Sequence, residues 1–220
     1  MKKKDENEGT LCCGWAEADI TPMDVAELNG QYYQRVSRGV HLPLRVTALA
    51  LSRADETAVM VSADVTNFDE AFHRELQSRV QREVPELDGS CVVMNAIHTH
   101  NAPAVVRFRN WWDPDPRALT LEAYRTLVLD RATEAVAAAW RNRTPCGVAP
   151  AFASARLGHN RRAVYADGTS EMYGATDRDD FVGMEGGEDS GVELLFLFPG
   201  DDRPSGVIVN VACPSQVLEA

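Results

Sequence analysis

The sequence predicts an α/β fold in which a mixed β-sheet core is flanked by helices, and three observations carry that prediction. Strand-like apolar runs recur at residues 14–22, 44–51, 57–63, 90–97, 192–198 and 206–212. Two longer stretches, near 68–83 and 119–141, carry their apolar residues at helical spacing instead. The first of these falls between two strand runs, and that order predicts a βαβ unit with a right-handed crossover if its strands are parallel.

Residues 14–22 alternate apolar and polar side chains up to Pro22, which reads as a first strand and its stop. Residues 23–41 read as a loop. The runs 44–51 and 57–63 are joined by the polar Arg53-Ala54-Asp55-Glu56, a connection short enough for a hairpin. Asn67 with Glu70 three residues on matches a capping box, and Phe68, Phe72, Leu76 and Val80 then form one apolar helical face ending near Pro85. A strand over 90–97 follows, with Cys91 as a small core residue inside it. The aromatic stretch 107–116, with Trp111 and Trp112, either lines a pocket or packs its tryptophans on the core.

From 120 to 140, Leu121, Tyr124, Val128, Ala132, Ala135 and Ala139 follow helical spacing in an alanine-rich segment. Residues 145–156 read as a strand, and Asp167-Gly168 as a hairpin turn, since glycine tolerates positive φ. The glycine-rich stretch 183–191 lacks the lysine of a phosphate loop and is acidic, so it reads as a mobile loop. The runs 192–198 and 206–212 are nearly continuous in apolar residues, as in strands buried on both faces. Because the chain stops at Ala220 soon after such a strand, the natural polypeptide is expected to continue.

With 220 residues, 45% of them hydrophobic, the chain can bury a core of its own. Its length favours a single domain over 11–220 without excluding two small ones, with residues 1–10 as a disordered tail. A formal charge of −11 opposes binding to phosphate backbones and anionic membranes, so nucleic acid is not an expected partner. Lys2-Lys3-Lys4 runs into Asp5-Glu6-Asn7-Glu8 where a signal peptide needs an apolar core, and no run approaches the roughly 18 apolar residues of a membrane span. The expectation is a soluble, by default cytoplasmic, chain. Its five cysteines, at 12, 13, 91, 146 and 213, are too irregular for a disulfide framework or a zinc knuckle.

The residues able to carry chemistry sit at strand ends: His98, His100, Asn160-Arg161-Arg162 and Cys213-Pro214. In an extended segment a His-x-His pair points to one face, so His98 and His100 can converge on one metal or one substrate. The same pair also fits two polar residues on an exposed strand edge.

This combination resembles the amino-terminal domain of the neutral/alkaline non-lysosomal ceramidase family. The resemblance runs through Gly14 with Asp19-Ile20-Thr21, then Ser62-Ala63-Asp64, His98-Thr99-His100-Asn101-Ala102-Pro103 and Asn160-Arg161. His-Thr-His is its specific part. It implies a ceramidase-like α/β domain that hydrolyses an N-acyl amine, ceramide being one candidate, with a water activated by one zinc ion. It implies that His98 is a zinc ligand, that His100 and Arg161 act on substrate and transition state, and that Asn160 binds substrate. Where members carry a ligand histidine before proline, this chain has Cys213, so a thiolate either replaces that ligand or marks a branch that has lost zinc. The family's remaining ligands, a glutamate and a tyrosine, lie beyond residue 220. Two other readings stay open: a non-catalytic ceramidase-like binding or structural domain, and a cysteine hydrolase with Cys213 as nucleophile. Ser215 lacks a Gly-x-Ser-x-Gly elbow.

Overall fold

The computed structural model describes residues 9–107, 112–200 and 203–216. Among these, the chain up to Gly147 with 199–200 and 215–216 forms one compact unit, and Val148–Phe198 with Arg203–Pro214 forms a second.

The first unit is built on β1 (Cys12–Asp19), β2 (Arg45–Arg53), β3 (Glu56–Ala63), α1 (Glu70–Glu83), β4 (Val92–Ala96), α2 (Leu121–Arg141) and β5 (Thr144–Pro145). Its sheet runs in the order β4-β3-β2-β1-β5, antiparallel throughout except for the parallel pair β3–β4. Period-two patterning decides which side of β3 is covered. Val59, Val61 and Ala63 are buried, while between them Met60 is exposed and Ser62 half-buried. Register sets these three opposite the buried Ala50, Ala48 and Val46 of β2, so one sheet face is continuously apolar. Phe72, Leu76 and Val80 of α1 and Tyr124, Val128, Ala132, Ala135 and Ala139 of α2 join the same core. The helices meet each other, and α2 lies over β1 and β2.

The strand–helix–strand expectation over residues 57–97 holds, with two local corrections. The cap of α1 is Asp69, whose side chain accepts from Phe72 N at 2.7 Å, and not Asn67. Both types suit an N-cap, and the later start still leaves Phe72, Leu76 and Val80 on the buried face. Residues 89–91 form a 3-10 turn before β4, entered through Asp88, whose side chain accepts from Ser90 N. Cys91 is therefore half-buried in a turn rather than a core strand residue.

The second unit contains β6 (Gly147–Ser154), β7 (Arg162–Tyr165), β8 (Ser170–Met172), β9 (Phe181–Met184), β10 (Gly191–Phe198) and β11 (Gly206–Val211). They form two three-stranded sheets, β11-β10-β6 and β8-β7-β9. The expected turn at Asp167-Gly168 joins β7 to β8, with Gly168 at φ 82°. The expectation of two-sided burial for the last two strands is overturned: β10 is mostly half-buried, and in β11 Val207 and Val209 are exposed, the latter by 53%. A continuous apolar run does not reveal how many layers cover it, and a three-stranded sheet has little of its own to cover both faces. Residues 185–190 form the expected glycine-rich loop, although Gly183 and Met184 belong to β9.

Among the described residues, three sheets and two α-helices thus replace the single flanked sheet that was expected. The chain is mostly sheet, and the α/β description holds only roughly. Residues 1–8 of the expected tail lie outside the described residues. Gly9 is placed, its carbonyl accepting from Arg53 Nε at 3.1 Å. Of the aromatic stretch, residues 108–111 also lie outside the described residues, while Trp112 is half-buried.

Candidate active site

Strand β4 ends at Ala96, and Ile97 N still reaches the carbonyl of Ala63 on the neighbouring strand at 3.1 Å. His98 then adopts φ 60°. A left-handed histidine costs about 1–3 kcal/mol and persists only where its surroundings fix it. The convergence of the two histidines therefore comes from this turn, not from strand alternation as the sequence suggested. The two rings lie edge to face with centroids 5.1 Å apart, and their Nε2 atoms are 3.4 Å apart.

Neighbouring groups determine which nitrogens are bare. Thr66 O, 2.7 Å from His98 Nδ1, can only accept, so His98 carries its proton on Nδ1 and presents a bare Nε2. The Thr66 hydroxyl donates to Thr99 O at 2.9 Å, tying the same residue to the turn a second time. At the other ring, the amide nitrogen of Gln216 is 2.8 Å from His100 Nε2 and can only donate, so that Nε2 accepts. Gln216 is brought there by Ser215, whose N–H donates to Ile97 O at 3.0 Å.

The segment after β1, expected to be a plain loop, supports this turn. Glu27 and Val36 pair, and Leu28 N donates to Arg35 O, closing a small clasp. Asn29 N donates to Ala102 O at 2.8 Å. Gly30, at φ 102°, lies directly beneath the His100 ring. Arg35, only 8% exposed, donates to the carbonyls of His100 and Asn29 and, at 3.2 Å, to Asn101 Oδ1.

In the second unit, Asn160 and Arg161 immediately precede β7. Asn160 Nδ2 donates to Gly187 O at 2.8 Å, fixing it to the glycine-rich loop. Arg161 Nη1 donates to Tyr173 Oη at 2.7 Å, its guanidinium carbon 5.4 Å from the ring centroid. Tyr173, at φ 57°, also returns its N–H to Arg161 O. The loop carboxylate Glu188 pairs with Arg156 at 2.9 Å and faces His159 at 3.1 Å. Cys213 is half-buried, with Sγ 3.6 Å from the carbonyls of Leu157 and Pro214. A carbonyl is an acceptor, so the sulfur donates to it as a thiol.

The residues singled out in the sequence are thus grouped as His98 with His100 in one unit, and Asn160, Arg161 and Cys213 in the other. Sequence reasoning missed Thr66, Gln216, Arg35 and Gly30. Only Gly30 carried a signal, the turn-forming Asn29-Gly30 pair. A zinc ion, which the sequence resemblance implies, finds a fitting donor in His98, because a histidine ligand characteristically gives its other N–H to a carbonyl. Among the described residues no group of three or more His, Cys, Asp or Glu side chains is placed to hold a metal ion.

No family model matches the chain, and no curated protein matches it. Solved structures do. Neutral ceramidase from Pseudomonas aeruginosa superposes with a TM-score of 0.69 at 18% identity, over 94% of this chain and 32% of that one. The fold is ceramidase-like. A structure of a ceramidase complexed with C2 gives a TM-score of 0.68 at 17% identity, again over 94% of this chain and 32% of the other. The chain therefore spans about a third of the length of these ceramidases. Among the described residues, no helix is long and apolar enough to cross a membrane.

Proposed function

We propose that this chain is the histidine-bearing part of a zinc-dependent amide hydrolase acting on an N-acyl amine, with ceramide-type lipid amides as the leading substrate class. The observation that carries the reading is the state of His98: its Nδ1 proton is held by the Thr66 carbonyl at 2.7 Å, which leaves Nε2 bare. The ceramidase-like fold supports it.

In this reading His98 Nε2 would be a zinc ligand, and Cys213, once deprotonated, would be a second. Zinc, when bound, supplies Lewis acidity that polarises a carbonyl and brings the pKa of water to about 7. The lone pair of His100 Nε2 is engaged by Gln216, so His100 serves as a substrate-facing group and not as a further ligand. Arg161 offers N–H donors to the oxyanion that develops as the amide carbon becomes tetrahedral. One guanidinium nitrogen of Arg161 donates to the Tyr173 hydroxyl at 2.7 Å, which biases its orientation. Asn160, held by Gly187 O, orients the substrate.

Cys213 is the point on which a non-catalytic ceramidase-like domain competes, since it stands where the family's ligand histidine is expected. The carbonyls of Leu157 and Pro214 beside its sulfur favour the protonated thiol, so both nucleophilic attack and zinc ligation by Cys213 require that proton to leave. Zinc content separates the readings, measured on the polypeptide carrying this chain as wild type, His98→Ala and Cys213→Ser. The proposal expects one zinc in the wild type and loss of it in both variants. Full zinc in Cys213→Ser removes that residue from the site, and a wild type that takes up no zinc removes the catalytic reading.

A further inference from the structure

The left-handed turn at His98 needs something to hold it, and the clasp formed by residues 26–37 is the group packed against it. Within the clasp one side chain reaches the turn at several points. Arg35 Nη2 donates to the carbonyl of His100 and, at 3.1 Å, to that of Asn29, while Nη1 donates at 3.2 Å to Asn101 Oδ1. Two of these acceptors follow His98 in the turn and one belongs to the clasp, and a planar guanidinium can serve them together because its donors form a rigid fork. Arg35 is almost wholly buried, and among the described residues no carboxylate pairs with it. Burying a charge without a counter-charge is unfavourable, and among the described residues the two Nη atoms of Arg35 find acceptors while its buried Nε has none. The clasp thus spends its buried cation on the backbone of the histidine turn.

We propose that Arg35 is the positioning residue of the histidine pair: by holding the His100 carbonyl, Asn29 and Asn101 together, it keeps His98 and His100 with their Nε2 atoms facing each other. The proposal rests on the reading of His98 and His100 as the reactive centre, and Arg35 acts through its hydrogen bonds to backbone carbonyls and to Asn101 Oδ1. Its signature is a tautomer pattern. With Thr66 O accepting from His98 Nδ1 and the Gln216 amide donating to His100 Nε2, both neutral imidazoles are in the Nδ1–H form. Release of the turn frees both rings from these partners, and each then samples both tautomers.

The test is nitrogen NMR of the imidazoles in metal-free, uniformly labelled protein above the histidine titration range, comparing wild type, Arg35→Met and Arg35→Lys. In the wild type the Nε2 signals of His98 and His100 fall in the bare-nitrogen range. In Arg35→Met both move toward the averaged range. In Arg35→Lys, which keeps the charge without the fork, the His100 signal moves in the same direction by a smaller amount. Methylguanidinium added to Arg35→Met returns the signals toward wild type, which a general loss of packing would not allow. Wild-type imidazole signals in either folded variant overturn the proposal. So does failure of both variants to fold, since Arg35 is then required by the core and not by the turn. Neither readout involves zinc or hydrolysis, so absence of metal binding would sink the proposed function and leave this inference standing.

Discussion

Replacing Gly30 with alanine perturbs the histidine pair through packing and backbone strain, with no change to any polar side chain. A methyl group at position 30 would lie 2.4 Å from His100 Cγ, 2.5 Å from Cδ2 and 2.7 Å from Nδ1. Ordinary carbon contacts sit at about 3.5–4.0 Å, so the ring or the clasp must give by roughly 1 Å. Gly30 also has φ 102°, where an L-residue is strained by about 1–2 kcal/mol. Overpacking typically adds about 1–3 kcal/mol, for an expected loss of about 2–5 kcal/mol. A shift of that size takes the 2.8 Å contact between His100 Nε2 and Gln216 out of hydrogen-bond range. The assay is urea unfolding of both proteins, with the slope checked for constancy, alongside imidazole nitrogen spectra. A loss below about 0.5 kcal/mol, the range of neutral surface changes, with an unchanged His100 signal would refute the packing argument.

Three further outcomes are expected. Asp69→Ala removes the cap of α1 and lowers stability by about 1 kcal/mol in chemical denaturation, whereas Asn67→Ala, at the position first taken for the cap, has a smaller effect. Burial holds the Asp64 carboxyl above its ordinary value of 3.8, against the opposing Arg45 N–H and charge. An acid raised in the folded state binds its proton more tightly there, so its ionisation opposes folding as pH climbs from that value through the folded pKa. Asp64→Asn should accordingly raise stability more at pH 7 than at pH 3, and equal effects at both would remove the burial argument. Desolvation, with the neighbouring Cys146 thiol adding to it, pushes the Cys13 thiol up to about 12. Iodoacetamide at pH 8 should label the native protein at other cysteines well before Cys13, as peptide mapping would show.

The parts of the fold that were legible in the sequence are those where one local pattern meets one packing environment. Val59, Val61 and Ala63 alternate because a single face of β3 is covered, and Phe72, Leu76 and Val80 repeat because α1 presents one stripe to the sheet. The run at 206–212 failed as a guide for the converse reason, since Val207 and Val209 are as apolar as core residues but have no layer over them. At the site, His98 and His100 stood out by residue type, yet the turn that pairs them arises from a φ that histidine does not advertise. Arg35 falls in a stretch that reads from sequence only as a loop, and its contacts with the turn appear only once the clasp closes on Ala102 and His100. Gln216 lies 116 residues from its partner, with no motif linking them.

The decisive assay of the proposed function is amide hydrolysis by the polypeptide carrying this chain, read as release of free long-chain amine from an N-acyl long-chain amine. Hydrolysis should be lost on zinc chelation, restored by added zinc and absent in His98→Ala, while replacement of the exposed Met23 by alanine should leave it intact. Hydrolysis that persists in His98→Ala, or none at all from zinc-loaded wild type, would contradict the proposed function.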